Sequence, residues 1–144
     1  MSKGKVNFFE ESFEGLNQDY SKRIVINTLN KDWQPSPVPG VERIYLERDD
    51  KGEKAKASSI VKFLPESSFD MHTHEYGEEF LVLEGIFSDQ YGDYPKGTYV
   101  RNPDKSSHNP FSKDGCTIFV KLRQFNKDDI KRVVKKTYDL PWHK

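Results

Sequence analysis

Met71-His72-Thr73-His74-Glu75-Tyr76-Gly77-Glu78-Glu79 is the stretch on which the reading of this chain turns. His72 and His74 are two residues apart, the spacing at which a β-strand points side chains to one face. One short strand can therefore aim two imidazoles at one point. Of the adjacent acids Glu78 and Glu79, a strand can turn only one to any given face. Gly85 follows, and a third histidine, His108, lies in the loop-like stretch Asn102-Pro103-Asp104-Lys105-Ser106-Ser107-His108-Asn109-Pro110. Three imidazoles and one carboxylate form a ligand set for a borderline divalent ion: Fe, Mn, Ni, Co or Zn. A bare pair of strand histidines near a turn is more often a solvated feature than a site. The glutamate, the glycine and the late histidine together reverse that balance.

The remaining composition narrows the class. The chain has 144 residues, enough for one domain with a sizeable core. Lysine plus arginine and aspartate plus glutamate are 23 each, so nothing favours nucleic acid or an anionic membrane surface. Aromatic residues are 13% of a chain only 34% hydrophobic, which predicts a core rich in Phe and Tyr. The single cysteine, Cys116, excludes an internal disulfide and any Cys-x-x-Cys site. The first residues show a charge with no apolar run after it, and no stretch approaches the length of a membrane span. A cytoplasmic, membrane-free protein is expected.

Along the chain, residues 1–22 read as a flexible or loosely docked lead-in. Residues 23–29, with Val25 and Ile26, read as a first strand. Three prolines between Trp33 and Gly40 exclude helix and predict an extended arm. Residues 41–48 and 57–64 alternate like strands and pair as a hairpin across Asp49-Asp50-Lys51-Gly52-Glu53. Residues 69–74 form the next strand. Glu79-Phe80-Leu81-Val82-Leu83 has the pattern of a buried strand, which Gly85 breaks before a short strand at 86–89. Further strands are predicted at 98–101 and 116–122, and a turn at 126–129 precedes a last strand within 132–137. Many short strands punctuated by Gly and Pro predict an all-β sandwich or closed barrel.

His72-x-His74-x3-Glu78-x6-Gly85 resembles the first motif of the cupin superfamily, and Gly92-Asp93-Tyr94-Pro95-Lys96-Gly97 through His108 resembles the second. Gly77-Glu78-Glu79-Phe80-Leu81-Val82-Leu83-Glu84-Gly85, Gly97-Thr98-Tyr99-Val100-Arg101-Asn102-Pro103 and Gly115-Cys116-Thr117-Ile118-Phe119-Val120-Lys121-Leu122 resemble the ChrR-like cupins in particular. The likeness runs from about Trp33 to Trp142. It implies a double-stranded β-helix, a jelly-roll-type barrel, over residues 23–144. It also implies one divalent metal ion per chain held by His72, His74, Glu78 and His108. The anti-sigma members carry a further zinc-binding domain with a cysteine pair, for which this chain has neither length nor cysteines, so anti-sigma activity is not implied. Tyr76 stands where the group often has a second glycine.

Two functions follow from the resemblance. One is a non-haem Fe(II)-type dioxygenase acting on a small chelating compound such as a β-diketone. The other is a non-catalytic metal-binding sensor or small-ligand-binding module. Several dioxygenase relatives use three histidines without the glutamate. Arg101 offers two readings, an anion-binding residue near the metal or the partner of an acid on the barrel wall. Tyr91, Tyr94 and Tyr99 can line a cavity or fill a core. Phe63, Phe80 and Phe119 are assigned to the core, and Cys116 is read as a small core residue. His143 is read as solvated. Cupins commonly pair as homodimers with an N-terminal arm crossing over, and the Pro-rich stretch suits such an arm.

Overall fold

The computed structural model describes residues 15–49, 55–125 and 133–136. They form twelve strands: β1 (Gln34–Pro35), β2 (Val41–Arg48), β3 (Ala57–Phe63), β4 (Ser67–Ser68), β5 (His72–His74), β6 (Glu78–Asp89), β7 (Gly92–Pro95), β8 (Thr98–Asn102), β9 (Ser106–His108), β10 (Phe111–Ser112), β11 (Cys116–Leu122) and β12 (Val133–Lys136). All pairings are antiparallel. No helix among the described residues is long and apolar enough to cross a membrane.

The long strand β6 organises the rest. Its first half lies between β11 and β8, its second half beside β7 and β10. The first half belongs to a broad sheet that continues outward through β3, β2 and β1 on one side and β12 on the other; the second half joins β10 to β4. Phe80 from the first half and Phe87 from the second meet with ring centroids 4.4 Å apart, and Phe63 of β3 stands edge-on to Phe87 at 5.4 Å. These rings, with Val61, Val82, Val100, Ile118 and Val120, form the buried core.

The hairpin of β2 with β3, the strand at Cys116–Leu122 and the last strand beside β8 follow the sequence reading. The turn expected at 126–129 lies outside the described residues. Several expectations change. Residues 23–29 form no strand: Thr28–Asn30 is a single 3-10 turn capped by Asn27, and Ile24, Val25 and Leu29 face solvent. β-branched residues make a strand only where a partner supplies hydrogen bonds and packing, and none pairs there among the described residues. The strand expected over 69–74 narrows to His72–His74. His108 lies in β9 and not in a loop. Phe119 faces outward opposite Ile60 and Leu81 and is only half-buried, since Ile118 and Val120 take the inward positions.

Residues 15–22 are tied to β2. Leu16 exchanges both backbone hydrogen bonds with Arg48, at 2.8 and 3.0 Å, and the Tyr20 hydroxyl donates to Glu47. Trp33 lies under the Lys62 ammonium at 4.4 Å.

Gly85 bends β6 without ending it. The pairing with β11 skips Leu83, which bulges, and Gly85 follows with φ +74°. A Cβ at Gly85 would lie 2.2 Å from the Gly115 carbonyl oxygen and 2.8 Å from the Cys116 Cα. Neither backbone atom can step aside cheaply, and an L side chain is disfavoured at that φ. Gly85→Ala is therefore expected to lower stability by about 2 kcal/mol or more, read as a shift in the denaturant midpoint; an unchanged midpoint would contradict the close-approach argument.

Candidate metal centre

The antiparallel register of β5 with β9 sets His72 directly opposite His108, and His74 opposite Ser106. Strand alternation turns Thr73 to the other side, where its hydroxyl meets that of Ser107 at 2.7 Å. All three imidazoles therefore converge. The Nε2 atoms of His72 and His74 are 2.9 Å apart, as are those of His74 and His108. The three donor nitrogens lie within 4.8 Å of one another.

Glu78 reaches the same point through a tight turn. Tyr76 and Gly77 both take left-handed backbone, with φ +58° and +69°. That conformation explains why glycine suits position 76. Here Tyr76 is held by its own N–H, which donates to Asp104 Oδ1, and by the Arg123 guanidinium over its ring. A Cβ on Gly77 would lie 2.6 Å from the Asn102 carbonyl. Glu78 then opens β6 facing inward, its Oε2 at 3.2 Å from His74 Nε2 and 3.0 Å from His108 Nε2. The Asn102 amide donates to the same oxygen at 2.9 Å. Glu79 points the opposite way and accepts from the Tyr99 hydroxyl at 2.6 Å.

Neighbouring groups fix which nitrogen each ring turns inward. His72 Nδ1 lies 2.9 Å from the Asp70 carbonyl oxygen, which can only accept, so Nδ1 donates to it and Nε2 is the nitrogen turned inward. His108 Nδ1 lies 3.2 Å from Asp89 Oδ2. Asp89 Oδ1 is fixed in turn by the Tyr94 hydroxyl and the Tyr91 N–H, both at 2.9 Å. Histidines that ligate metals are commonly oriented in this way by a carboxylate or carbonyl behind the ring.

The charges follow the packing. Burial pushes His74 down to about 4, with Glu78 opposing only in part. For Glu78, burial raises the pKa, but His74, His108 and Asn102 outweigh it and hold the carboxyl at about 2. Burial also works against a proton on His108, yet hydrogen bonds to Asp89 and Glu78 prevail and lift it to about 9.

The donor set fits a divalent ion. Two ligands about 2.1 Å from one ion and at right angles are about 3.0 Å apart, against about 3.4 Å in a tetrahedron. The His72–His74, His74–His108, His74–Glu78 and His108–Glu78 separations, 2.9 to 3.2 Å, match the edges of an octahedron.

The four groups line a cavity of about 470 Å³, together with Phe63, Phe69 and Phe87. The structure does not bring Tyr99 and Arg101 there. Val100 and Asn102 take the inward positions of β8, so Tyr99 and Arg101 face out, with the Arg101 guanidinium 5.8 Å from the Phe125 ring. Tyr94 is buried against Asp89 and Tyr91 is exposed. Cys116 is buried in the core, as its β-prone surroundings suggested. His143 lies outside the described residues. Sequence reading missed Asp89 behind His108 and Asn102 beside Glu78. Asn102 was open to detection by counting two from the apolar Val100. Asp89 was hidden, because the bulge at Leu83 reverses which residues of β6 face inward.

Residues 21–126 match the family of ChrR cupin-like domains. A candidate acetylacetone dioxygenase from Methylibium petroleiphilum superposes with a TM-score of 0.62 at 17% identity, over 78% of this chain and 86% of that one. The crystal structure of Rhodobacter sphaeroides SigE in complex with the anti-sigma ChrR gives 0.54 at 20% identity, over 65% of this chain and 50% of that one, so this chain spans about half its length. A predicted oxalate decarboxylase from Thermotoga maritima gives 0.55 at 21% identity, over 69% and 97%. At such identities the likeness is one of fold alone. None of the curated proteins matches this chain. With the family match spanning well over half its residues and its strands rolled around a histidine cluster, the chain belongs to the ChrR cupin-like family and has the all-β cupin fold.

Proposed function

We propose that this protein holds one divalent transition metal ion through His72, His74, Glu78 and His108 and is a non-haem Fe(II)-type dioxygenase for a small chelating compound of the β-diketone kind. The observation that carries this reading is the convergence of three imidazole nitrogens, with the Glu78 carboxylate 3.0 to 3.2 Å from two of them, on the lining of a cavity. On a six-coordinate ion these four ligands would leave two positions, which would suit a substrate that binds through two oxygens. The fold shared with a candidate acetylacetone dioxygenase agrees with it.

An ion bound there supplies Lewis acidity and, as Fe(II), the electrons for dioxygen chemistry. The chain's own residues supply the rest. Asp70 and Asp89 lock the rings of His72 and His108 so that neither must reorganise. Val61, Phe63, Phe69, Phe87 and Ile118 give the cavity an apolar wall that excludes water from the reacting groups. We place the protein in the cytoplasm, which its single cysteine suits. We also propose a homodimer, supported by exposed Ile24, Val25 and Leu29 on the arm before β1; a monomeric mass by light scattering would remove that part.

Metal analysis of untagged protein should find about one ion per chain in the wild type and little in His74→Ala, whereas equal content in the two would end the assignment. Oxygen uptake by the Fe(II)-loaded protein should depend on added β-diketone. Metal-dependent binding of diketones without uptake would favour the sensor or binding module instead.

Acidity gives a further check. In the metal-free protein His108 keeps a proton up to about pH 9, on the ring whose Nε2 the ion needs. Glu78, at about 2, and His74, at about 4, are already free of theirs at neutral pH. Ion and proton therefore compete at His108, and apparent zinc affinity should rise by about tenfold per unit between pH 7 and 8.5. A chelator-competition titration that is flat across this range would contradict the competition.

A further inference from the structure

Three residues, Glu75-Tyr76-Gly77, separate the last histidine of β5 from the glutamate that opens β6. His74 and Glu78 thus stand on either side of one turn, and the shape of that turn sets the 3.2 Å between their donor atoms. Its middle residue is of the wrong kind for its shape. Tyr76 takes φ +58°, where a Cβ crowds the neighbouring backbone, so the chain holds this conformation only if its surroundings impose it.

Those surroundings carry strain of their own. Asn17, Glu66, Tyr76, Lys105 and Arg123 are the described residues other than glycine with positive φ, and the last three meet here. The Lys105 N–H donates to the His74 carbonyl and the Arg123 N–H to the Gly77 carbonyl, both at 2.8 Å, while the Phe125 N–H donates to that of Tyr76 at 3.0 Å. Arg123 also sets its guanidinium over the Tyr76 ring and pairs with Glu75 at 3.2 Å. The N–H of Tyr76 is held by a side chain: Asp104 Oδ1 accepts from it at 2.6 Å. Rotation about φ swings this N–H relative to the rest of the turn. A fixed acceptor there opposes relaxation of Tyr76 to negative φ.

Asp104 lies two residues beyond Asn102, the end of β8. Asn102 stands opposite Glu78 in the ladder of β6 with β8, and its amide donates to the Glu78 carboxylate. The chain leaving β8 therefore grips the turn twice, at Glu78 through Asn102 and at Tyr76 through Asp104. Gly77 lies between the two grips and is tightly packed: a Cβ there would be 2.6 Å from the Asn102 carbonyl oxygen and 3.2 Å from the Asp104 nitrogen. Gly77 has no room to absorb a change at Tyr76, which passes on to Glu78.

We propose that Asp104 is a positioning residue for Glu78: its carboxylate holds Tyr76 in the left-handed turn and so sets where the Glu78 carboxylate stands against His74 and His108. Asp104 acts through the turn and is not itself a ligand. The proposal rests on the metal-centre reading for its effect on metal binding.

Zinc affinity, measured by chelator competition well below the unfolding midpoint, reads that effect. Asp104→Ala should weaken zinc by about tenfold, as turns no longer held left-handed dilute the binding-competent form. Asp104→Asn keeps an accepting oxygen without the charge and should stay close to the wild type. Tyr76→Gly makes positive φ cheap, so the double variant Tyr76→Gly/Asp104→Ala should regain the affinity. In a Glu78→Ala background there is no carboxylate to place, and adding Asp104→Ala should cost nothing further. A merely structural Asp104 would lower the unfolding midpoint and show none of this pattern. Unchanged affinity in Asp104→Ala, an equal loss in Asp104→Asn, no recovery with Tyr76→Gly, or a full further loss on top of Glu78→Ala would each overturn the proposal. Should Asp104→Ala fail to fold, Tyr76→Gly is compared with Tyr76→Gly/Asp104→Ala: equal affinities support the proposal and a clear gap overturns it. A wild type that holds no zinc would sink the metal centre separately. Crystal structures of metal-free wild type and Asp104→Ala then decide: a Glu78 oxygen moved beyond hydrogen-bond reach of His108 Nε2, past about 3.5 Å, supports the proposal, and an unmoved carboxylate overturns it.

Discussion

The pairing of β5 with β9 is the contact on which the site depends. It is only three residues long, yet it decides that His72 lies across from His108 and that Thr73 and Ser107 turn away together. A slip of one residue would send the imidazoles of one strand to the opposite face, because side chains alternate strictly. The hydroxyl contact behind the ladder and the backbone bond from Lys105 to His74 hold this register. Glu78 joins from a different strand, so the centre also fastens the small ladder to the broad sheet.

Buried polar groups of this kind are costly unless each is paired. Here the pairs are visible: Asp70 behind His72, Asp89 behind His108, and Asn102 on Glu78. Asp89 is itself tied to Tyr94 and to the Tyr91 backbone. On the inner side of the cluster the Nε2 atoms of His72 and His74 lie 2.9 Å apart, close enough for one neutral ring to donate to the other; in the proposed metal-bound state both would turn lone pairs to the ion.

Much of this was legible in the sequence, because the informative residues sit on unbroken alternation. The shared face of His72 and His74 follows from counting by two, as does the rule that only one of Glu78 and Glu79 can turn inward; that it is Glu78 came from the cupin resemblance, and the apolar run through Phe80 and Val82 marked a buried strand. Counting fails where a strand bulges. Beyond Leu83 the inward set of β6 changes parity, which concealed Asp89. Bulges of this kind often re-aim a side chain near a functional site. Arg101 was a different case: apolar Val100 beside it already implied an outward guanidinium. The strand expected at 23–29 failed because propensity does not supply a partner.

The central claim is that one cation lies among four side chains drawn from three strands. Anomalous scattering, recorded at several absorption edges from crystals grown with no chelator present, tests it most directly. The account expects one peak about 2.1 Å from the Nε2 atoms of His72, His74 and His108 and from a Glu78 oxygen, with the edge naming the element. A cluster with no peak at any edge, or a peak bound by the histidines with Glu78 turned away, would contradict it.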